Sequence, residues 1–260
     1  MWPVAAGMGE FSACIAASWP AAARVRAVTT VRTGGVSAPP FDTFNLGDHV
    51  SDDPAAVHTN RERLRTGLAL PAEPLWLTQV HGTRVVAAAG TPPGTEADGS
   101  FTDRTGVVCA VLTADCLPVF LCDRAATRVA VVHAGWRGLA AGVVEQGLAA
   151  MGVSLDMSGD QVFAWLGPAI GPQAFEVGDE VRQAFVSRQP EAAAAFRKNT
   201  SGRYYADIYA LARLRLAAAG VTQVYGGEYC TYTESQRFFS YRRDGQTGRM
   251  AALIWLDADT

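Results

Sequence analysis

The chain is predicted to fold as one compact α+β domain, with layered mixed β-sheets flanked by helices (an α/β/β/α-like arrangement). Three observations predict it. Short runs rich in valine, threonine and aromatic residues recur at 24–31, 106–112, 118–122, 128–132, 161–167 and 249–256, with the length and composition of strands. Helical patterns interrupt them unevenly, at 54–68, 134–152, 175–188 and 206–220, and not once per strand as in a doubly wound parallel sheet. The length of 260 residues and a 49% hydrophobic composition suffice for a sizeable core.

Composition narrows the function classes. The balance of 22 basic against 25 acidic residues gives a net charge of -3 with no Lys/Arg run, which argues against a nucleic-acid partner. Lys198 is the single lysine, so arginines carry the positive charge; they suit carboxylate or phosphate recognition and equally follow from genome composition. Five cysteines at irregular spacing do not make a disulfide framework and fit a reducing cytoplasm. No apolar stretch is long enough to cross a bilayer, so no membrane partner is expected. The Ala-rich start contains Glu10 and lacks the basic residues of a secretory signal. Residues 1–18 read as a loose leader and 19–260 as the domain. The oligomeric state, monomer or small homo-oligomer, is not set by these features.

Taken in order, RVRAVTTV (24–31) is a strand, and the following RTGGVSAPPFDTFNLGDHVSDD is too long and too rich in Gly, Pro, Asn and Asp for a plain connection. It carries Arg32, Asn45 and His49; turn formation and backbone capping are the simple explanation for its glycines and for Asn45. Asp52 or Asp53 as N-cap with Pro54 starts a helix through 68 that presents Arg61 and Arg65, with His58 four residues before Glu62 on its surface. LWLTQV (75–80) and RVVAAA (84–89) are expected strands around His81, followed by a loop over 90–100 that ends near Asp98. Three strand runs follow, with Cys116 between the first two and His133 at the end of the third. AGWRGLAAGVVEQGLAAMG is expected to turn into a helix whose first amides face the cysteine and histidine. The glycines match neither GxGxxG nor a Walker loop. QVFAWLG is a strand, GPAIGP a rigid turn, and a helix enters through Gly178 and Asp179. The helix at 206–220 buries positions 208, 211, 212 and 216 and ends at Gly220. The last third carries Cys230, Arg242, Arg243 and Asp244 before the strand RMAALIWL.

Chemistry concentrates in TADCLPVFLCDRAATRVAVVHAGWRG, residues 113–138. Cys116, His133 and the distant His81 form the Cys/His2 set used by catalytic zinc, with a fourth position open. The same atoms also suit a thiolate nucleophile with a histidine base, or, less well, a copper centre that lacks an evident axial Met. A multicopper oxidase needs more than the four histidines present. Cys109 and Cys122 fall inside strand runs and read as structural.

Together RTGGVSAPPFDTFNLGDHVSDD, LTQVHG, EADG, LTADCLPV, VVHAGWRGL, GPAIGP with FEVG, and FFSYRRDGQTGR make the chain resemble the laccase-domain family over roughly residues 19–256. Its bacterial members carry the labels polyphenol oxidase, peptidoglycan editing factor and purine nucleoside phosphorylase. The resemblance implies a zinc site on His81, Cys116 and His133, with phosphorolysis of adenosine, inosine, guanosine and methylthioadenosine and deamination of adenosine as expected activities. Purine nucleosides and phosphate are the small-molecule partners it implies. Asp98 and Cys230 are then the expected additional catalytic residues, and Asn45, Arg61 and Arg32 the expected substrate-binding ones. A Cys/His or zinc hydrolase acting on a peptidoglycan precursor, and a copper-dependent polyphenol oxidoreductase, are the alternative expectations.

Overall fold

A computed structural model of the chain describes residues 11–153 and 161–258. Its strands are β1 (Cys14–Ala16), β2 (Val25–Thr30), β3 (Val85–Ala87), β4 (Gly99–Thr102), β5 (Val108–Thr113), β6 (Leu117–Asp123), β7 (Val129–Ala134), β8 (Val162–Leu166), β9 (Glu176–Val177), β10 (Phe196–Lys198), β11 (Tyr204–Ala206), β12 (Gln223–Gly226) and β13 (Met250–Leu256). Its helices are α1 (Pro54–Gly67), α2 (Trp136–Ala141), α3 (Val143–Ala150), α4 (Asp179–Val186), α5 (Ile208–Ala218) and α6 (Tyr241–Asp244).

Two sheets form the centre. One has the order β1-β2-β13-β5, the other β12-β8-β6-β7-β4-β3, and a small sheet β10-β11-β9 lies apart. Strand alternation sorts the side chains into layers. On β6, Leu117, Val119 and Leu121 join a core built with α2, α3, α4 and α5, whereas Phe120 and Cys122 join a core shared with Cys109, Val111, Ala252 and Ile254 of the other sheet. The opposite face of β5 and β13, with Leu112, Leu253 and Trp255, packs on Leu64 of α1 and on Phe44 and Phe238. The result is α1, sheet, sheet, helices: the expected layered α+β arrangement.

The helices obey their local signals. Asp53 caps α1 by accepting from the Ala55 amide, with Pro54 in the first turn. Asp207 caps α5, whose buried residues include Ile208, Leu211, Ala212 and Leu216. Gly178 precedes α4 as expected.

Four expectations are corrected. The segment 11–18, read as leader, contributes β1, which pairs antiparallel with β2 and hides Ala13 in the core; residues 1–10 lie outside the described residues. LWLTQV is not a strand: only Leu75 and Thr78 make isolated bridges, and the Gln79 side chain, rather than its backbone, bonds to the backbone of Leu112. The loop expected over 90–100 already contains the start of β4 at Gly99, which the pairing with Val132 of β7 draws into the sheet. The single helix expected over 134–152 is two helices, broken at Gly142 with φ of 107°.

Candidate metal centre

The hairpin of β6 and β7 brings two of the three candidate ligands together. Its register pairs Leu117 with Ala134 and Pro118 with His133, so Cys116, one residue before β6, emerges beside the end of β7. On β7, Val129 and Val131 point between the two sheets. His133 follows the same alternation and is 3% exposed. His81 comes from the turn after Thr78 and sits at φ 59°, a left-handed conformation that is uncommon for a residue with a side chain.

One carboxylate ties this turn to the strands. Asp98 is fully buried; its Oδ1 accepts from the His81 amide (2.9 Å) and from His133 Nδ1 (2.8 Å), and its Oδ2 accepts from the amides of Gly82 (2.6 Å) and Val80 (3.2 Å). A carboxylate only accepts, so His133 keeps a proton on Nδ1, and in its neutral form the Nε2 lone pair is the one left for a cation. These bonds outweigh the penalty of burial and hold the Asp98 carboxyl below the usual range.

His81, Cys116 and His133 offer one ligand atom each within 4.8 Å of one another. Cys116 Sγ lies 3.9 Å from His81 Nε2, and the two imidazoles stand at 72° with centroids 4.8 Å apart. Tetrahedral coordination with metal–sulfur and metal–nitrogen distances of about 2.3 and 2.1 Å would set ligand atoms roughly 3.4–3.6 Å apart. The Cys116–His81 pair is within a few tenths of an ångström of that spacing and the widest pair would close by up to about an ångström, so the set could hold one small, borderline-soft cation after side-chain adjustment. Gly135 makes the cluster possible: a Cβ there would lie 2.9 Å from His81 Cδ2 and 3.1 Å from Cys116 Sγ. The glycines after His133 thus admit the ligand side chains.

The ligands tune one another. Burial pushes the Cys116 thiol up, but His133 and His81 outweigh it and bring it down to about 6. Burial pushes His133 down, and Cys116 and Asp98 outweigh that, bringing it up to about 9. Cys109, by contrast, is fully buried among apolar groups and pushed up to about 12, as expected of a structural thiol.

The other expected site residues have varied positions. Cys230 accepts a hydrogen bond from the Gly171 amide at 3.2 Å, next to Thr231, whose hydroxyl donates to Asp115 Oδ1. Asp115, at φ 93°, also accepts from the Arg242 amide, so it joins the residue before Cys116 to α6. Asn45 is fully buried and turned inward: Nδ2 donates to Gly47 O and Asp52 Oδ2, and Oδ1 accepts from the amides of Gly47 and Arg249. Arg32 is bound to Asp42 and to the Ser235 carbonyl, with its guanidinium over Phe239. Arg61 donates twice to Leu46 O, faces Asp48 at 3.3 Å and lies over Trp76. The side chains of Asn45 and Arg32 thus bond to their own loop and, through Arg249 and Ser235, to the last third of the chain. His58 pairs with Glu62 on the exposed face of α1, as expected. Arg249, at the end of FFSYRRDGQTGR, donates from Nη1 to the carbonyls of Thr247 and Gly248.

Comparison with known proteins accords with this geometry. Residues 26–257 match the family described as multi-copper polyphenol oxidoreductase laccase. Over 246 residues the chain is 54% identical to "Purine nucleoside phosphorylase PA4543" of Pseudomonas aeruginosa and 52% identical to "Purine nucleoside phosphorylase YfiH" of Escherichia coli, covering 94% of this chain and 99% of each relative. The crystal structure of a Neisseria meningitidis protein superposes with a TM-score of 0.89 at 53% identity, covering 95% of this chain and all of that one. That of YlmD from Geobacillus stearothermophilus gives 0.89 at 34% identity over 96% of this chain and 98% of its own. With the match running through both central sheets and all three candidate ligands, the chain belongs to the multi-copper polyphenol oxidoreductase laccase family.

Proposed function

We propose that this protein is a zinc-dependent purine nucleoside phosphorylase. It converts adenosine, inosine, guanosine and methylthioadenosine to the free base and ribose 1-phosphate or methylthioribose 1-phosphate, and it also deaminates adenosine. The observation that carries the reading is the His81–Cys116–His133 set braced by Asp98, in a chain whose relatives bear the phosphorylase name. His81, Cys116 and His133 would hold the ion, which supplies a Lewis acid that polarises substrate oxygen or water.

In phosphorolysis a phosphate oxygen bonds to C1′ as the C1′–N9 bond breaks, and the purine leaves with the bonding pair and takes up a proton. The chain must therefore hold an anion beside the ribose and exclude competing water. Asp98 acts by fixing the His133 tautomer and the 80–82 turn, since all its accepting capacity is engaged with donors already in the fold. Arg61 steadies the loop around Asp48, and Cys230 accepts from the Gly171 amide. We assign the reaction to a reducing cytoplasm, in line with five free cysteines.

The test is incubation of the metal-loaded protein with inosine or adenosine and inorganic phosphate. Hypoxanthine or adenine with ribose 1-phosphate is expected, together with inosine from adenosine. No product from wild type, or equal turnover by Cys116→Ala, would sink the proposal.

A second reading has one specific observation in its favour. The Cys116 thiol, brought down to about 6 beside His133, has the properties of a nucleophile and suits a Cys/His hydrolase acting on a peptidoglycan precursor. Amide cleavage that persists after complete chelation would select it. The family description raises copper, but among the described residues a single Cys/His cluster is present, which does not suit a multi-copper relay.

A further inference from the structure

Near the candidate centre, Arg249 differs from Arg61 and Arg32. Arg61 faces Asp48 and Arg32 faces Asp42, each within 3.3 Å. Arg249, which is only partly exposed, forms no ion pair among the described residues. Its Nη1 donates to the carbonyls of Thr247 (2.8 Å) and Gly248 (3.1 Å), which fixes the plane of the guanidinium and leaves its other edge unengaged among the described residues. Holding a cation half out of water without a direct ion pair is costly.

The fold nonetheless clamps this arginine. Its amide donates to buried Asn45 Oδ1 at 2.8 Å, and its carbonyl accepts from Leu46. Its stem lies against Gly47, where a Cβ would come within 2.8 Å of Arg249 Cγ. The exposed ring of Tyr241 stands 5.9 Å from the guanidinium carbon. Tyr241 opens α6, whose Arg242 amide donates to Asp115, the residue before Cys116, and Gly47 lies against both the Arg249 stem and the His49 ring, so Arg249 stands between the Asp115–Cys116 turn and the 45–49 loop. A planar fork fixed in orientation, with one edge and no ion-paired carboxylate engaged among the described residues, suits a tetrahedral oxyanion bound through two oxygens.

We propose that Arg249 is the anchor for the phosphate co-substrate, oriented by Asn45, Thr247 and Gly248 so that the bound anion sits beside the His81–Cys116–His133 centre. This inference rests on the phosphorylase reading for the identity of the anion. The bland alternative is that Arg249 merely offsets the charge of the Cys116 sulfur.

The experiment compares metal-loaded wild type, R249M and R249K in two measurements: inosine phosphorolysis with phosphate and inosine varied separately, and calorimetric titration of inorganic phosphate without nucleoside. Loss of a charge-assisted pair raises the phosphate KM and Kd by about 10- to 100-fold. The inosine KM should stay within about twofold, metal content should be unchanged, and R249K should recover part of the loss. If R249M fails to melt cooperatively, R249K alone carries the comparison, with a phosphate KM raised by about threefold or more because Lys lacks the fork. A phosphate KM and Kd that do not move, or a loss of metal with phosphate binding intact, overturns the anchor while the phosphorylase reading stands. Arg249-dependent phosphate binding without any turnover overturns the phosphorylase reading and keeps the anchor. Absence of both turnover and phosphate binding in wild type overturns both.

Discussion

Replacing Asp98 with Asn tests how the centre is built. The substitution keeps shape and volume, but an amide can accept at one atom only. If its oxygen stays with His133 Nδ1 and the His81 amide, its NH2 group faces the amides of Gly82 and Val80, which Asp98 Oδ2 now accepts at 2.6 and 3.2 Å. Two buried donors then lack an acceptor, at about 1–3 kcal/mol each. If the amide rotates, its NH2 donates to His133 Nδ1, which forces the proton onto Nε2 and removes that ligand's lone pair. Either way the 80–82 turn and the His133 tautomer cannot both be kept. Metal affinity should fall by about 10- to 100-fold. The metal-free protein should lose about 2 kcal/mol or more, a fall of roughly 4 °C or more in Tm for a chain of this size, yet remain folded because a domain typically has about 5–15 kcal/mol in hand. Competition with a chromophoric chelator and thermal melts of the metal-free form read the two effects separately. Metal affinity within threefold of wild type, with an unchanged Tm, would falsify the assignment of Asp98 as the brace.

Three further outcomes are expected. G135A places a methyl group against His81 Cδ2 and Cys116 Sγ, so metal affinity should drop by at least about tenfold with little change in the melt of the metal-free protein; chelator competition and calorimetry check this, and unaltered affinity would contradict the packing argument. Metal uptake should release protons in a pH-dependent way from the Cys116–His133 pair, because bound ligands are a thiolate and a neutral imidazole. With Cys116 at about 6 and His133 at about 9, pH 7.5 finds the thiolate formed and His133 protonated, so this pair gives up about one proton; near pH 5.5 it gives up nearly two, at pH 9 about half, and only above about pH 10 almost none. Calorimetry in buffers of different ionisation enthalpy measures the number, and no difference between pH 5.5 and 7.5 would refute the coupling. N45A removes four hydrogen bonds from a fully buried side chain, so denaturant unfolding should show a loss of about 2–4 kcal/mol and phosphate binding should weaken through Arg249; unchanged stability would show that the bracket is dispensable.

Much of this architecture was legible because local rules and tertiary packing agree. Asp53–Pro54, Asp207 and the valine-rich runs each encode their element within a few residues, and Cys116 and His133 flank a hairpin that the pattern reveals. What could not be read depends on partners remote in sequence. Cys14–Ala16 becomes a strand only because β2 lies open to it. Nothing in EADG shows that three amides and a histidine converge on Asp98. Arg61 and Arg32 look free in the sequence and are engaged in the fold, whereas Arg249 looks like a strand flank and is not matched by a carboxylate.

The pairing of β6 with β7 has a consequence for where the centre is sensitive to change. Their connection lies at the far end of the hairpin, where Asp123 accepts from the amides of Thr127 and Arg128 and from the Thr127 hydroxyl. That turn works as a distant ruler for the ligands. Deleting one of its residues, about 20 Å from the metal along strands rising about 3.3 Å per residue, would slip one strand past the other. His133 would swing to the helix face of its sheet while Cys116 stayed behind. Chain length at 123–128 is therefore a coordination parameter, and a solvent-exposed turn that touches no ligand can abolish the site without altering a single ligand residue.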